Sequence, residues 1–273
     1  SRASLAALPA SFHPSKAART MLGWSLLTRL AYEAARMAAV TSPSSDAISA
    51  FPQAILWDLD GTLVDTEPLW IAAETALVHS HGGTWTHDDA LTLVGKSLND
   101  SADILISRGV DLRPEQLIAT RIEQVNGEVG RHGPQLRPGP RELEARAAAR
   151  GVPQAIVTMS YRVQARTVAD ALPAGAITTI VAGDMVGVGK PDPEAYLMAA
   201  DLLGVEIGEC IAVEDSVTGV RAALASGART VTVPHIQDVP HVDGLARATT
   251  LEGLDLDALV SLVRGGSAGS VLA

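Results

Sequence analysis

Six side chains at four places along this chain have the types and positions for one kind of chemistry. Asp58 and Asp60 stand one residue apart in Ala54-Ile-Leu-Trp-Asp-Leu-Asp-Gly-Thr-Leu-Val-Asp-Thr-Glu67, Thr158 ends a second apolar run, Lys190 opens Lys190-Pro-Asp-Pro193, and Glu214-Asp215 ends a third apolar run. The run Ala54 to Trp57 reads as a buried strand broken by two aspartates before a Gly-Thr turn. Two carboxylates so placed are costly unless a cation sits between them. A hard, oxygen-seeking ion such as Mg²⁺ is the natural answer, and Mg²⁺ usually brings a phosphate. Each signal has a plainer explanation alone: Thr158 ends a strand, Lys190 is a solvated loop charge, and Glu214-Asp215 caps the next helix.

These residues need elements to position them. Asp65-Thr-Glu-Pro68 is a helix start, with Thr66 as N-cap and Pro68 in the first turn. From about Leu69 to Gln135 the pattern is helical, broken at Gly82-Gly83, Gly95, Gly109 and Pro114. That predicts a small helical bundle inserted after the first strand, with the Pro/Gly-rich stretch Gly133 to Pro140 as its return linker. Beyond it, strands at Gln154–Thr158, Thr178–Ala182, Cys210–Val213 and Thr230–Val233 alternate with helices at Arg141–Arg150, Tyr161–Ala171, Pro193–Leu203 and Val217–Ala225. Repeated βα units predict an α/β fold: a doubly wound, Rossmann-like parallel sheet with an inserted α-helical cap domain, its ligands at the carboxyl ends of the strands. All six side chains fall at those ends or in the loops beyond them. The expected division is an α/β core over 51–67 and 137–264, a cap over 68–136, an extension over 1–50 and a frayed tail over 265–273.

Composition narrows the class further. The 273 residues are enough for one large or two modest domains, and 47% hydrophobic with 19% charged residues describes a globular chain. A net charge of -10 argues against nucleic acid or an anionic membrane as partner. Cys210 is the single cysteine, so no internal disulfide can form, and its apolar surroundings read as buried filler in a protein of the reducing cytoplasm. The seven histidines show no metal-like spacing. Residues 1–50 read differently: Met21 to Met37 can form an amphipathic helix, too short and too charged to span a bilayer, before a linker-like Thr41 to Asp46. An Arg-rich, acid-poor transit peptide is a second reading of that segment.

Asp58-Leu-Asp-Gly-Thr-Leu-Val64 resembles the first signature of the haloacid dehalogenase-like phosphohydrolases. Thr158, Lys190 and Glu214-Asp215 follow in that family's order, so the likeness runs from about Pro52 to the last helix. The resemblance implies a Mg²⁺-dependent reaction in which Asp58 attacks phosphorus and forms an aspartyl-phosphate. It implies that Asp60 protonates the leaving alcohol and then activates water, its backbone carbonyl meeting the metal. Asp58, Asp215 and Glu214 complete the metal set, Glu214 through a coordinated water. Thr158 and the Met159 N–H would hold phosphate oxygens, and the Lys190 ammonium would offset their charge. Dehalogenases of this family lack the second aspartate, so Asp60 argues for phosphate chemistry.

Val157-Thr-Met-Ser160, the Lys190 turn and Val213-Glu-Asp-Ser-Val-Thr-Gly-Val220 look most like the subgroup holding β-phosphoglucomutase and phosphoglycolate phosphatase. The mutase carries a cap-hinge histidine where this chain has Trp70, and basic residues where this chain has Val94 and Leu98. Those departures favour a hydrolase of a small phosphorylated metabolite over a mutase, with a phospho-ligand-binding protein as a remote third. Trp70, Lys96 and Asn99 are the candidates for substrate contact, in a protein expected as a monomer or a dimer.

Overall fold

The computed structural model describes residues 51–94, 96–236 and 238–265 and the backbone of 271–272. The extension expected over 1–50 lies outside the described residues. Among the described residues, seven strands form one parallel sheet: β1 (Ala54–Trp57), β2 (Gln154–Val157), β3 (Thr179–Val181), β4 (Cys210–Glu214), β5 (Arg229–Thr232), β6 (Leu245–Ala248) and β7 (Val271–Leu272). Their order is β3-β2-β1-β4-β5-β6-β7. The winding reverses at the central strand, because β2 and β3 lie to one side of β1 and β4 to β7 to the other. In such sheets the crevice beyond the carboxyl ends at this reversal is where ligands gather.

All four residues of β1 are fully buried, which explains their unbroken apolar run: a central parallel strand has no wet face. Ile55 and Trp57 belong to the apolar cluster on one face, whereas Ala54 and Leu56 belong to that on the other. Helices α5 (Pro140–Ala149), α6 (Arg162–Ala171) and α9 (Leu256–Gly265) send Leu143, Ala165 and Leu259 into the first cluster. Helices α7 (Glu194–Leu203) and α8 (Val217–Ser226) send Met198 and Ala222 into the second. Gly204 and Gly227 end α7 and α8 in the left-handed conformation that a Cβ disfavours.

Between β1 and β2 the chain makes four helices: α1 (Glu67–Ser80), α2 (His87–Leu91), α3 (Leu98–Ser107) and α4 (Pro114–His132). Thr86 and Asp89 form a reciprocal capping box on α2, and Ser97 accepts from the Asp100 N–H to cap α3. Helix α4 packs against α1 and α3 and also against α6 of the core, so the insert is seated beside the strand ends. None of the described helices is long and apolar enough to cross a membrane.

Two strands exceed the expectation. Leu245–Ala248 is a short, arginine-containing strand inside a loop-rich stretch, and its period is too brief to read. The expected frayed tail contributes Val271–Leu272, which pairs with β6 and gives its open edge hydrogen-bonding partners.

Candidate active site

Asp58, Thr158, Glu214 and Asp215 are delivered by strand ends, whereas Asp60 and Lys190 stand in the loops beyond β1 and β3. Asp58 follows β1, Thr158 follows β2, and Glu214 ends β4 with Asp215 next. Parallel pairing in register, Trp57 with Ile156 and with Val213, brings these ends level. The Asp58 N–H donates to the Val213 carbonyl at 3.0 Å, which locks the first aspartate beside the fourth strand. Asp58, Thr158 and Asp215 line a cleft of about 460 Å³, closed on its other wall by α1, α4 and the loop before α3.

Lys190 is the electrostatic centre of the core wall. Its Nζ donates to Asp58 Oδ1 at 2.6 Å, to Glu214 Oε1 at 2.6 Å and to the Val157 carbonyl at 2.8 Å. Three donors meet three acceptors, so the ammonium is fully satisfied although only 4% of the side chain is exposed. The two carboxylates hold the Lys190 ammonium well above the usual lysine range, outweighing the burial that opposes it. Glu214 is wholly buried and also accepts from the Tyr196 hydroxyl at 2.6 Å. Gly219 leaves room for that carboxylate, because a Cβ there would collide with it.

The Asp60 carboxylate faces hydroxyl groups. It accepts from Ser160 Oγ at 2.5 Å and from Thr158 Oγ1 at 3.5 Å, and from Thr66 Oγ1 as well. Thr66 is the residue before α1, as the sequence suggests, yet its side chain caps no helix N–H and serves Asp60 instead. Hydroxyls can donate to a carboxylate or turn to accept from a carboxylic acid, so Asp60 has partners in both protonation states. Met159 lines the cleft, and its Sδ accepts from the Lys190 N–H at 3.1 Å.

Asp58, Glu214 and Asp215 bring carboxylate oxygens within 4.8 Å of one another, and Asp60's carboxylate lies outside that group. Burial, with repulsion from Glu214 second, pushes Asp58 well above the usual carboxylate range and Asp215 up to about 7. Three crowded, desolvated carboxylates with one ammonium among them fit a divalent, oxygen-preferring cation, which would relieve that repulsion.

On the opposite wall Trp70, Lys96 and Asn99 all line the cleft, the first nearly buried and the other two exposed. Beside them stands a pair that spacing does not announce. Arg121 on α4 donates through Nη2 to Glu74 Oε1 on α1, and its guanidinium carbon lies 5.0 Å from the centre of the Trp70 ring. Ser160, Tyr196, Glu74 and Arg121 were not singled out among the chemical residues, because each acts on a partner remote in the chain. Only Ser160 carried a cue, standing two residues after Thr158.

The haloacid dehalogenase-like hydrolase model matches residues 52–227. Hexitol phosphatase A of Escherichia coli is 33% identical over 202 residues, 69% of this chain and 86% of that protein. The plasmid-encoded protein CbbY of Cupriavidus necator is 32% identical over 200 residues, 67% of this chain and 78% of that one. Among solved structures, a variant of CbbY from Rhodobacter sphaeroides in complex with xylulose-(1,5)bisphosphate superposes with a TM-score of 0.66 at 26% identity. It covers 77% of this chain and 99% of that chain.

Proposed function

The chain belongs to the haloacid dehalogenase-like hydrolases, and on that premise we propose that it hydrolyses a small, sugar phosphate-like monoester through a phosphate covalently held on Asp58. The observation that carries this reading is the Asp58–Lys190–Glu214 triad at the head of the cleft. A buried ammonium fixes one oxygen of Asp58 and leaves the other for attack, while bringing positive charge to where phosphoryl oxygens must sit.

In the first half, Asp58 forms a bond to phosphorus as the ester P–O bond breaks, and Asp60 gives its proton to the departing alcohol. In the second, Asp60 takes a proton from water as that water attacks phosphorus, and the bond to Asp58 breaks to release phosphate. Thr158 and the Met159 N–H hold the phosphoryl oxygens, and Ser160 with Thr66 keeps Asp60 in place between the halves. Asp58, Asp215 and Glu214, with the Asp60 carbonyl, are the ligands proposed for Mg²⁺. When bound, Mg²⁺ supplies charge that keeps the carboxylates ionised and neutralises the phosphate.

The insert, with bounds near 68 and 136, acts as a cap that excludes water and presents Trp70, Lys96 and Asn99 to the substrate. Trp70 supports hydrolysis over phosphomutation, since its ring is occupied under Arg121 and has no proton to hand to a sugar. The relatives named a phosphatase and a protein holding a sugar bisphosphate support a phosphorylated carbohydrate as substrate class. The single, fully buried Cys210 supports a reducing, cytoplasmic setting.

The deciding experiment measures phosphate release from a panel of small phosphomonoesters, β-glucose 1-phosphate included, with Mg²⁺ and with chelator. Mg²⁺-dependent release is expected. Conversion of β-glucose 1-phosphate to glucose 6-phosphate without release would replace hydrolase by mutase, and neither outcome would leave a binding protein.

A further inference from the structure

Arg121 is 3% exposed, yet its Nε and Nη1 find no acceptor among the described residues. Only Nη2 is used, on Glu74. Buried donors are rarely left unpaired, because the lost hydration is not recovered. The guanidinium is pinned by the Glu74 carboxylate and the Trp70 ring, and all three side chains line the cleft. An acceptor carried into the cleft by a ligand would complete Arg121.

The charge around it selects the kind of group. Six carboxylates line the cleft, Asp58, Asp60, Glu67, Glu74, Asp184 and Asp215, against three cationic side chains, Lys96, Arg121 and Lys190. Lys190 is spent on Asp58 and Glu214, Arg121 is already paired with Glu74, and Lys96 is exposed. Beside the pair, Glu67 lines the same wall, its carboxyl pushed up to about 7 by burial and by the Asp60, Glu74 and Asp65 carboxylates. A second phosphate offers only acceptors and would meet these acids. A hydroxyl group accepts from the guanidinium and donates to a carboxylate, satisfying both members of an Arg–Glu pair at once.

We propose that Trp70, Glu74 and Arg121 form a subsite for the hydroxylated carbon chain of a monophosphate ester, which selects polyol or sugar monophosphates over bisphosphates and over unhydroxylated esters. This rests on the phosphatase reading and adds the end of the substrate remote from the reacting phosphate. A site built to hydrogen-bond a hydroxyl rejects the analogue lacking it, since its own polar groups are then left unpaired.

The test compares kcat/KM of the Mg²⁺-loaded, full-length protein on glucitol 6-phosphate, glucose 6-phosphate, glycerol 3-phosphate, fructose 1,6-bisphosphate, n-hexyl phosphate and p-nitrophenyl phosphate. The best hydroxylated monophosphate is expected to exceed both the bisphosphate and hexyl phosphate by at least about 10-fold. Arg121→Lys, which keeps the charge and loses the fork, is expected to cost the hydroxylated esters about 10-fold more than hexyl phosphate. A wild-type preference for the bisphosphate, or equal use of hexyl phosphate, would overturn the subsite, and neither result depends on a variant folding. An equal loss on every ester in Arg121→Lys would do the same. Failure to release phosphate even from p-nitrophenyl phosphate would instead sink the phosphatase reading beneath it.

Discussion

Lys190 and Arg121 are both buried cations on the walls of one cleft, and both lean on carboxylates and an aromatic ring. They differ in what is left over. The three donors of Lys190 end on Asp58, Glu214 and the Val157 carbonyl, so the core wall is complete without a ligand. Two of the three nitrogens of Arg121 end on nothing among the described residues. The core wall spends its charge in advance on holding the nucleophile, and the insert wall keeps donors in reserve. Fixed chemistry belongs on the rigid sheet, and selection belongs on the element that can vary without disturbing it.

The sharpest way to break this contrast is to remove the nucleophile. Asp58→Asn keeps the shape and the Lys190 contact but cannot attack phosphorus, so steady-state turnover should fall by at least about 10⁴-fold with circular dichroism unchanged. Retention of most activity would end the covalent assignment.

Lys190→Met comes next in size. It leaves Asp58 and Glu214 buried without their shared cation, a loss of about 3–5 kcal/mol in urea unfolding together with slower turnover. An unchanged unfolding midpoint would mean that the core wall is not held by this ammonium.

Glu74→Ala asks the same of the other wall and should cost less, about 1–3 kcal/mol, because Arg121 can turn toward the cleft water. Equal losses for Lys190→Met and Glu74→Ala would erase the distinction between a finished and an unfinished cation.

The smallest effect is a pH slope. Burial raises Glu67 and Glu74 from 4.5 to about 7, with Arg121 pulling Glu74 back. The folded chain therefore holds protons that the unfolded chain releases, and stability declines as pH rises from about 4.5 through 7 and then levels off. The decline should be roughly 1–2 kcal/mol, since cleft water screens Glu67 and the Arg121 cation offsets the burial of Glu74, and Glu67→Gln or Glu74→Gln should each flatten part of it. Lys190, whose shift lies above this window, contributes nothing to the slope. Identical slopes in wild type and variants would remove both glutamates from it.

Legibility in the sequence followed the range of each interaction. The strand runs, helix punctuation and the aspartates after Trp57 are local, so they could be read in order along the chain and fell at the carboxyl ends found here. Thr66 was legible as a helix start, but its hydroxyl turns away from the helix to Asp60, six residues back. Strand β6 escaped because four residues with an arginine among them carry too little period. The Glu74–Arg121 pair escaped for another reason: it joins two helices 47 residues apart, and nothing in either helix alone marks its charge as buried.

By itself the amino-acid sequence determined the parallel α/β sheet, the helical insert and the residues placed at the strand ends, because periodicity, turn chemistry and spacing are properties of neighbours. Only the tertiary structure decided which of those residues meet. It set Lys190 between Asp58 and Glu214, turned three hydroxyls toward Asp60, and buried Arg121 against Glu74 and Trp70 with donors to spare. Partners and burial are relations between distant parts of the chain, and they come into being only when the sheet and the insert close around one cleft.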